Sequence, residues 1–135
     1  MRYLLLSYTP ADSWDRAEAD TGAPSEEALA AFAVYAEFQR ELTAAGELVA
    51  TEGLGHPSLS QTVRKQADAV TVTDGPFAEF KEVLASYAVL DCASHDRALE
   101  IARRVVEAIG DTVEVRPIMG EDFGADSATI VSAPD

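Results

Sequence analysis

The chain has 135 residues, 47% hydrophobic and 25% charged, the proportions of an ordinary globular domain and not of a disordered or collagen-like chain. Ten Lys+Arg against 24 Asp+Glu leave a formal net charge of −14, which argues against direct binding to nucleic acid or to an anionic membrane surface. A lone cysteine, Cys92, cannot close an intrachain disulfide, and Tyr3-Leu4-Leu5-Leu6 is too short for a bilayer span or a signal-peptide core, so a soluble cytoplasmic protein is expected.

Residues 2–8 read as a buried strand. The stretch Thr9 to Ser25, holding Pro10, Trp14, Gly22 and Pro24, lacks periodicity and reads as a loop, with Trp14 anchoring it to the body. Ser25 followed by Glu26 and Glu27 marks a helix start, a capping hydroxyl and then carboxylates at the positive end of the dipole. Leu29, Phe32, Tyr35, Ala36, Phe38 and Leu42 share one side of that helix, and Gly46 ends it. Leu48 to Glu52 follows as a strand closed by Gly53 and Gly55. After the loop His56 to Ser60, the arms Thr62–Lys65 and Val70–Thr73 make a hairpin bending near Gln66-Ala67-Asp68. Asp74-Gly75-Pro76 is turn punctuation, and Phe77 to Glu82 a connector with room for one helical turn. Val83 to Asp91 is apolar or small on both faces, as in a central strand. Ser94 caps a second helix lined by Ala98, Leu99, Ala102, Val105, Val106 and Ile109 and stopped by Gly110. Thr112 to Ile118 is the last strand, with Val113 and Val115 opposed to Glu114 and Arg116.

The order strand, helix, strand, hairpin, strand, helix, strand is a split βαβ with an inserted hairpin, so the expected fold is a ferredoxin-like α+β domain over residues 1–119. Residues 120–135 form an acidic tail, ordered in part at most, in which Thr129-Ile130-Val131 could pair. Two helices cover one sheet face. A second copy of the chain is the economical cover for the other, which predicts a two-fold homodimer.

Thr73-Asp74-Gly75-Pro76-Phe77-Ala78-Glu79, followed by Lys81-Glu82, Leu84 and Tyr87, resembles the signature of the DGPF group of YCII-related proteins. Arg2–Leu6, Glu52-Gly53-Leu54, Thr62-Val63-Arg64 and Val113–Pro117 match the same pattern in order, so the resemblance covers most of residues 1–119. It implies a dimeric α+β barrel in which two ferredoxin-like sheets pack face to face. It also implies an accessory or regulatory role, with an extracytoplasmic-function sigma factor as a candidate partner. Some relatives carry a His–Asp pair suspected of catalysis, but residues 1–55 of this chain hold no histidine. Ala85-Ser86 stands where the pattern often has two glycines, which would tighten the neighbouring pocket.

Each candidate residue has a structural and a functional reading. Asp74 to Phe77 suits a turn with Phe77 as a core plug, or a pocket edge where Asp74 stands beside Glu79 and Lys81. Glu52 facing Arg64 or Arg116 would be a salt bridge or an anion clamp. Tyr8, Tyr35 and Tyr87 are core aromatics, or they converge on a pocket between sheet and helix. His56 and His95 have no second histidine or cysteine at ligand spacing, so neither metal nor cofactor is expected. His95 reads as solvated and Cys92 as a buried, inert thiol. The leading expectation is a small-ligand-binding or regulatory accessory protein with a pocket lined by Glu52, Arg64, Asp74, Phe77, Lys81 and Tyr87. The alternative is a small-molecule hydrolase or isomerase with Asp74 or Glu52 as general base.

Overall fold

The computed structural model describes residues 1–13 and 24–120, so Trp14 and the tail segment 121–135, with Thr129-Ile130-Val131, lie outside the described residues. The elements run β1 (Arg2–Pro10), α1 (Glu26–Ala44), β2 (Leu48–Gly53), β3 (Gln61–Gln66), β4 (Ala69–Asp74), β5 (Glu82–Asp91), α2 (His95–Ile109) and β6 (Thr112–Pro117). One antiparallel sheet has the order β2-β5-β1-β6, and β3-β4 form a separate two-stranded sheet. Each helix therefore links two strands that have a third between them. This is the ferredoxin-like split βαβ, with the hairpin inserted between β2 and β5.

The helix ends follow their sequence signals. Ser25 Oγ accepts from Ala28 N–H at 3.1 Å, and Ser94 Oγ from Arg97 N–H at 3.1 Å. At the end of α1, Gly46 N–H donates to Thr43 O at 3.0 Å and Glu47 N–H to Leu42 O at 2.9 Å, a Schellman closure with Gly46 at φ +76°. Gly110, at φ +88°, ends α2. The hairpin turns on Ala67-Asp68 with Gln66 opposite Ala69, and Ala67 takes the positive φ of 52° that such a tight turn demands.

Alternation along β1 divides the sheet into two faces. Tyr3, Leu5 and Ser7 are buried and pair across β5 with Leu90, Ala88 and Ser86. Against this face pack Phe38 and Leu42 of α1 and Ala98, Ile101, Ala102 and Val105 of α2. Leu90 and Ile101 are fully enclosed, which contributes roughly 1.5–3 kcal/mol each. The opposite face presents Leu4, Leu6 and Tyr8 with Val89, Tyr87 and Leu84 as their β5 partners, and none of the described helices lies over it. These side chains are half-buried.

Several expectations are corrected. β1 runs through Pro10 and residues 11–13 are helical, so the first loop starts later than Thr9. Between β4 and β5 the connector makes no helical turn. The apolar side of α1 is only half used: Leu29 and Phe32 are 54% and 57% exposed, because the sheet and α2 bury only Phe38 and Leu42, in its C-terminal half. Ile101, rather than Leu99 or Val106, is the central buried residue of α2. His95, by contrast, is exposed as expected, with its ring 5.6 Å from that of Tyr3.

One polar contact ties the layers together. Arg97 at the start of α2 grips Glu47, just before β2, through Nε–Oε2 and Nη2–Oε1 bonds of 2.8 Å each. Beside it Asp91 N–H donates to Glu47 O at 2.8 Å. The hydrogen bond from Arg97 holds the Glu47 carboxyl below its ordinary value. The folded chain therefore binds this proton less readily than the unfolded chain does. The resulting stability is complete above the ordinary glutamate value of about 4.3 and is lost as pH falls through the depressed folded value. Glu47→Gln should cost about 1–2 kcal/mol in urea denaturation at pH 7, and the gap from the parent should close as the titration is repeated at progressively more acidic pH. Ile101→Ala should cost about 3–4 kcal/mol at either pH.

Candidate functional site

The hairpin, the turn after it and the loop after β2 are laced to one another. Gly75 N–H donates to Ser60 O at 2.7 Å, Thr62 Oγ1 donates to Gly75 O at 2.9 Å, and Gln61 Nε2 donates to Asp74 Oδ1 at 3.1 Å. Gly75 sits at φ +94°, and a Cβ there would meet no atom within 4 Å, so the need for glycine is conformational rather than steric. Leu54 N–H donates to Ala85 O at 2.8 Å, which fastens the other end of the loop to β5.

In the same loop, residues Pro57–Leu59 make one 3-10 turn capped by His56. His56 Nδ1 accepts from Ser58 N–H at 3.1 Å, which puts the neutral ring's proton on Nε2, and Ser58 Oγ lies 2.9 Å from Nδ1.

Between this laced segment and the end of the open sheet face lies a cavity of about 480 Å³, within the range of small-molecule sites. Tyr8, Val83 and Leu84 come from the sheet, Leu54 and Leu59 from the loop, and Phe77 and Phe80 from the connector. Leu59, Phe77 and Phe80 are 77%, 72% and 63% exposed, so large apolar side chains stand in solvent around an apolar hollow. His56 and Glu82 add its ionisable groups, and Glu82 Oε1 accepts from Thr112 Oγ1 at 3.4 Å. A smaller hollow shares His56, Pro57, Pro76, Ala78, Phe80 and Val83 with it and adds Glu79.

The residues singled out from sequence fall into separate groups. Arg64 and Phe77 meet: the guanidinium carbon lies 5.9 Å from the ring centroid, and Nη2 donates to Phe77 O at 3.2 Å. Asp74 stands at the end of the same hairpin, bonded to Gln61. Glu52 and Tyr87 are register partners on β2 and β5. Lys81 stands apart, exposed beside Asp12, Glu79 and Glu82, with its carbonyl accepting from Ala11 N–H at 2.7 Å. Of these six, Phe77 alone lines the apolar cavity.

Three pairings weighed from sequence do not form. Glu52 faces neither arginine: Arg116 pairs with Glu114 on its own strand, while Arg64 is engaged by the Phe77 carbonyl. Of the three tyrosines, Tyr35 and Tyr87 border the same hollow under the helices, but Tyr8 lies apart in the cavity on the open face, so the three do not converge. Phe77 is no core plug. Leu59 and Phe80 are the residues that sequence reading passed over, while His56 enters there only as a candidate metal ligand and Glu82 only as part of the motif. The signal of Leu59 and Phe80 was large apolar residues in loops beside turn punctuation, where no periodicity assigns them to a core.

Elsewhere, burial pushes the Cys92 thiol up, with its Sγ 3.5 Å from Ser94 O, and burial likewise raises Tyr35. Asp111 is raised chiefly by burial and further by the Glu82 charge, against a hydrogen bond with Thr9. Among the described residues no cluster of His, Cys, Asp and Glu could hold a metal ion, and no helix is long and apolar enough to cross a membrane.

The sequence profile of the YCII-related domain matches residues 1–122. An uncharacterised protein of Rhizobium meliloti (strain 1021) is 42% identical over 82 residues, a match spanning 59% of this chain and 66% of the relative's length.

Gly75→Ala should cost about 1 kcal/mol, whereas Phe77→Ala should change stability by no more than about 0.5 kcal/mol; equilibrium denaturation separates the two. Cys92 should react with a disulfide reagent far more slowly in the native protein at pH 7 than in urea, as followed by absorbance.

Proposed function

Because this chain belongs to the YCII-related family, we propose that it is a small-ligand-binding accessory protein, working as a homodimer whose subunits cover each other's open sheet face. The observation that carries this reading is the apolar cavity at the end of that face. Tyr8 and Leu84 belong both to the uncovered face and to the cavity wall. A second sheet laid on Leu4, Leu6, Tyr87 and Val89 would bury an apolar surface that otherwise meets water, and would turn an open hollow into an enclosed one. Binding is favoured over catalysis because neither Asp74 nor Glu52 lines the cavity, and His56 Nδ1 is already engaged by the Ser58 backbone.

Native mass spectrometry and sedimentation should give a dimer at micromolar concentration. Leu6→Glu should yield a folded monomer, since its cost falls on association rather than on the helix-side core. A parent chain that sediments as a monomer would overturn the dimer. Nile red, a neutral apolar probe, should bind saturably to the full chain and about tenfold more weakly to Ala78→Trp, which fills the hollow. Equal binding to both proteins would remove the cavity as the site.

A further inference from the structure

We infer that this cavity selects ligands that join an apolar or aromatic body to a cationic amine and rejects anionic ones of the same shape. The inference rests on the cavity being the ligand site and adds the chemical class of what it takes. The apolar part follows from the walls: Tyr8, Leu54, Phe77, Phe80 and Leu84 offer broad contact and few hydrogen-bonding groups.

The charge preference follows from which ionisable side chains reach the two adjoining hollows. Glu82 lines the larger, Glu79 the smaller, and Phe80 stands between them as a wall of both. Among the described residues, neither hollow has a lysine or arginine in its lining. The described cations nearest to them are otherwise placed. Arg64 donates to the Phe77 carbonyl, and Lys81 borders an adjoining depression, which shares Glu82 with the larger hollow and Glu79 with the smaller and in which Asp12, Glu79 and Glu82 outnumber it. His56 Nδ1 is turned to the loop's own backbone, accepting from Ser58 N–H at 3.1 Å. A carboxylate or phosphate entering the cavity would lose water without meeting a counter-charge, at a considerable cost. An ammonium would meet Glu82 at one end and aromatic rings on the way, and the guanidinium already beside Phe77 shows one of these rings accommodating a cation. The −14 net charge of the chain acts in the same direction during approach.

The test is a matched series of naphthylethylamine, naphthylethanol and naphthylpropanoate, titrated into the full chain by calorimetry at pH 7 and moderate salt, with Ala78→Trp as the cavity control. The ammonium should bind about five- to tenfold more tightly than the alcohol, and the carboxylate more weakly than either. Glu82→Gln keeps an acceptor for Thr112. Combined with Glu79→Gln, it should bring the ammonium to within about twofold of the alcohol, both titrated into the same double variant. Alcohol binding that Ala78→Trp weakens, with no ammonium preference or with one surviving the double variant, would overturn the charge inference and leave the cavity reading standing. Failure of all three compounds to bind at a site sensitive to Ala78→Trp would overturn both.

Discussion

The two long helices among the described residues, α1 and α2, lie on the same face of a four-stranded sheet, and that geometric constraint governs the described molecule. Both α1 and α2 pack on the face that carries Tyr3, Leu5 and Leu90, where the fully buried residues lie. The other face is built from the same strands at alternate positions and is scarcely less apolar, with Leu4, Leu6, Tyr87 and Val89 in register. A strand such as β5, apolar on both sides, suits burial on both sides. The fold thus leaves an apolar face that neither α1 nor α2 covers, and the candidate site lies at the edge of that face.

The inserted hairpin has a related role. Two strands alone are marginal in water, and the valine pair Val63–Val72 across β3 and β4 stays largely exposed. What steadies this segment is polar: the bonds from Gly75 to Ser60, from Thr62 to Gly75 and from Gln61 to Asp74. The Asp-Gly-Pro turn holds the apolar loop residues over the end of the sheet and so shapes a hollow without itself lining most of it. The turn and the cavity are thereby linked as frame and opening, which gives the turn residues a structural part in any binding that occurs there.

Stability and site chemistry are separated in space. The bidentate Arg97–Glu47 contact and the Phe38–Ile101 core lie on the helix side, remote in the fold from the loops around His56 and Phe80. Substitutions in the loop side of the cavity wall can therefore be read for binding with little interference from unfolding, because Leu54, Leu59, Phe77 and Phe80 are exposed. The carboxyl of Asp111, raised by burial and by Glu82, stands at the boundary between the two regions.

Local rules were enough for the architecture. Ser25, Ser94, Gly46 and Gly110 mark helix ends by hydrogen-bonding and dihedral preferences that need no distant partner, and period-2 alternation assigns β1 and β6 to their faces. From these marks alone the strand order of a split βαβ could be written down. The site was not legible in this way. Whether Glu52 meets an arginine, or Tyr8 meets Tyr35, depends on sheet face and register, which place Glu52 beside Tyr87 and set the two tyrosines on opposite sides. Leu54, Leu59 and Phe80 occupy irregular backbone, where no repeat tells burial from exposure, and only the packing of loop against strand turns them into a wall. Sequence determined which segments become helix and strand because those choices are made within a few residues. Tertiary structure decided which side chains share a cavity, because that choice is made between residues far apart in the chain.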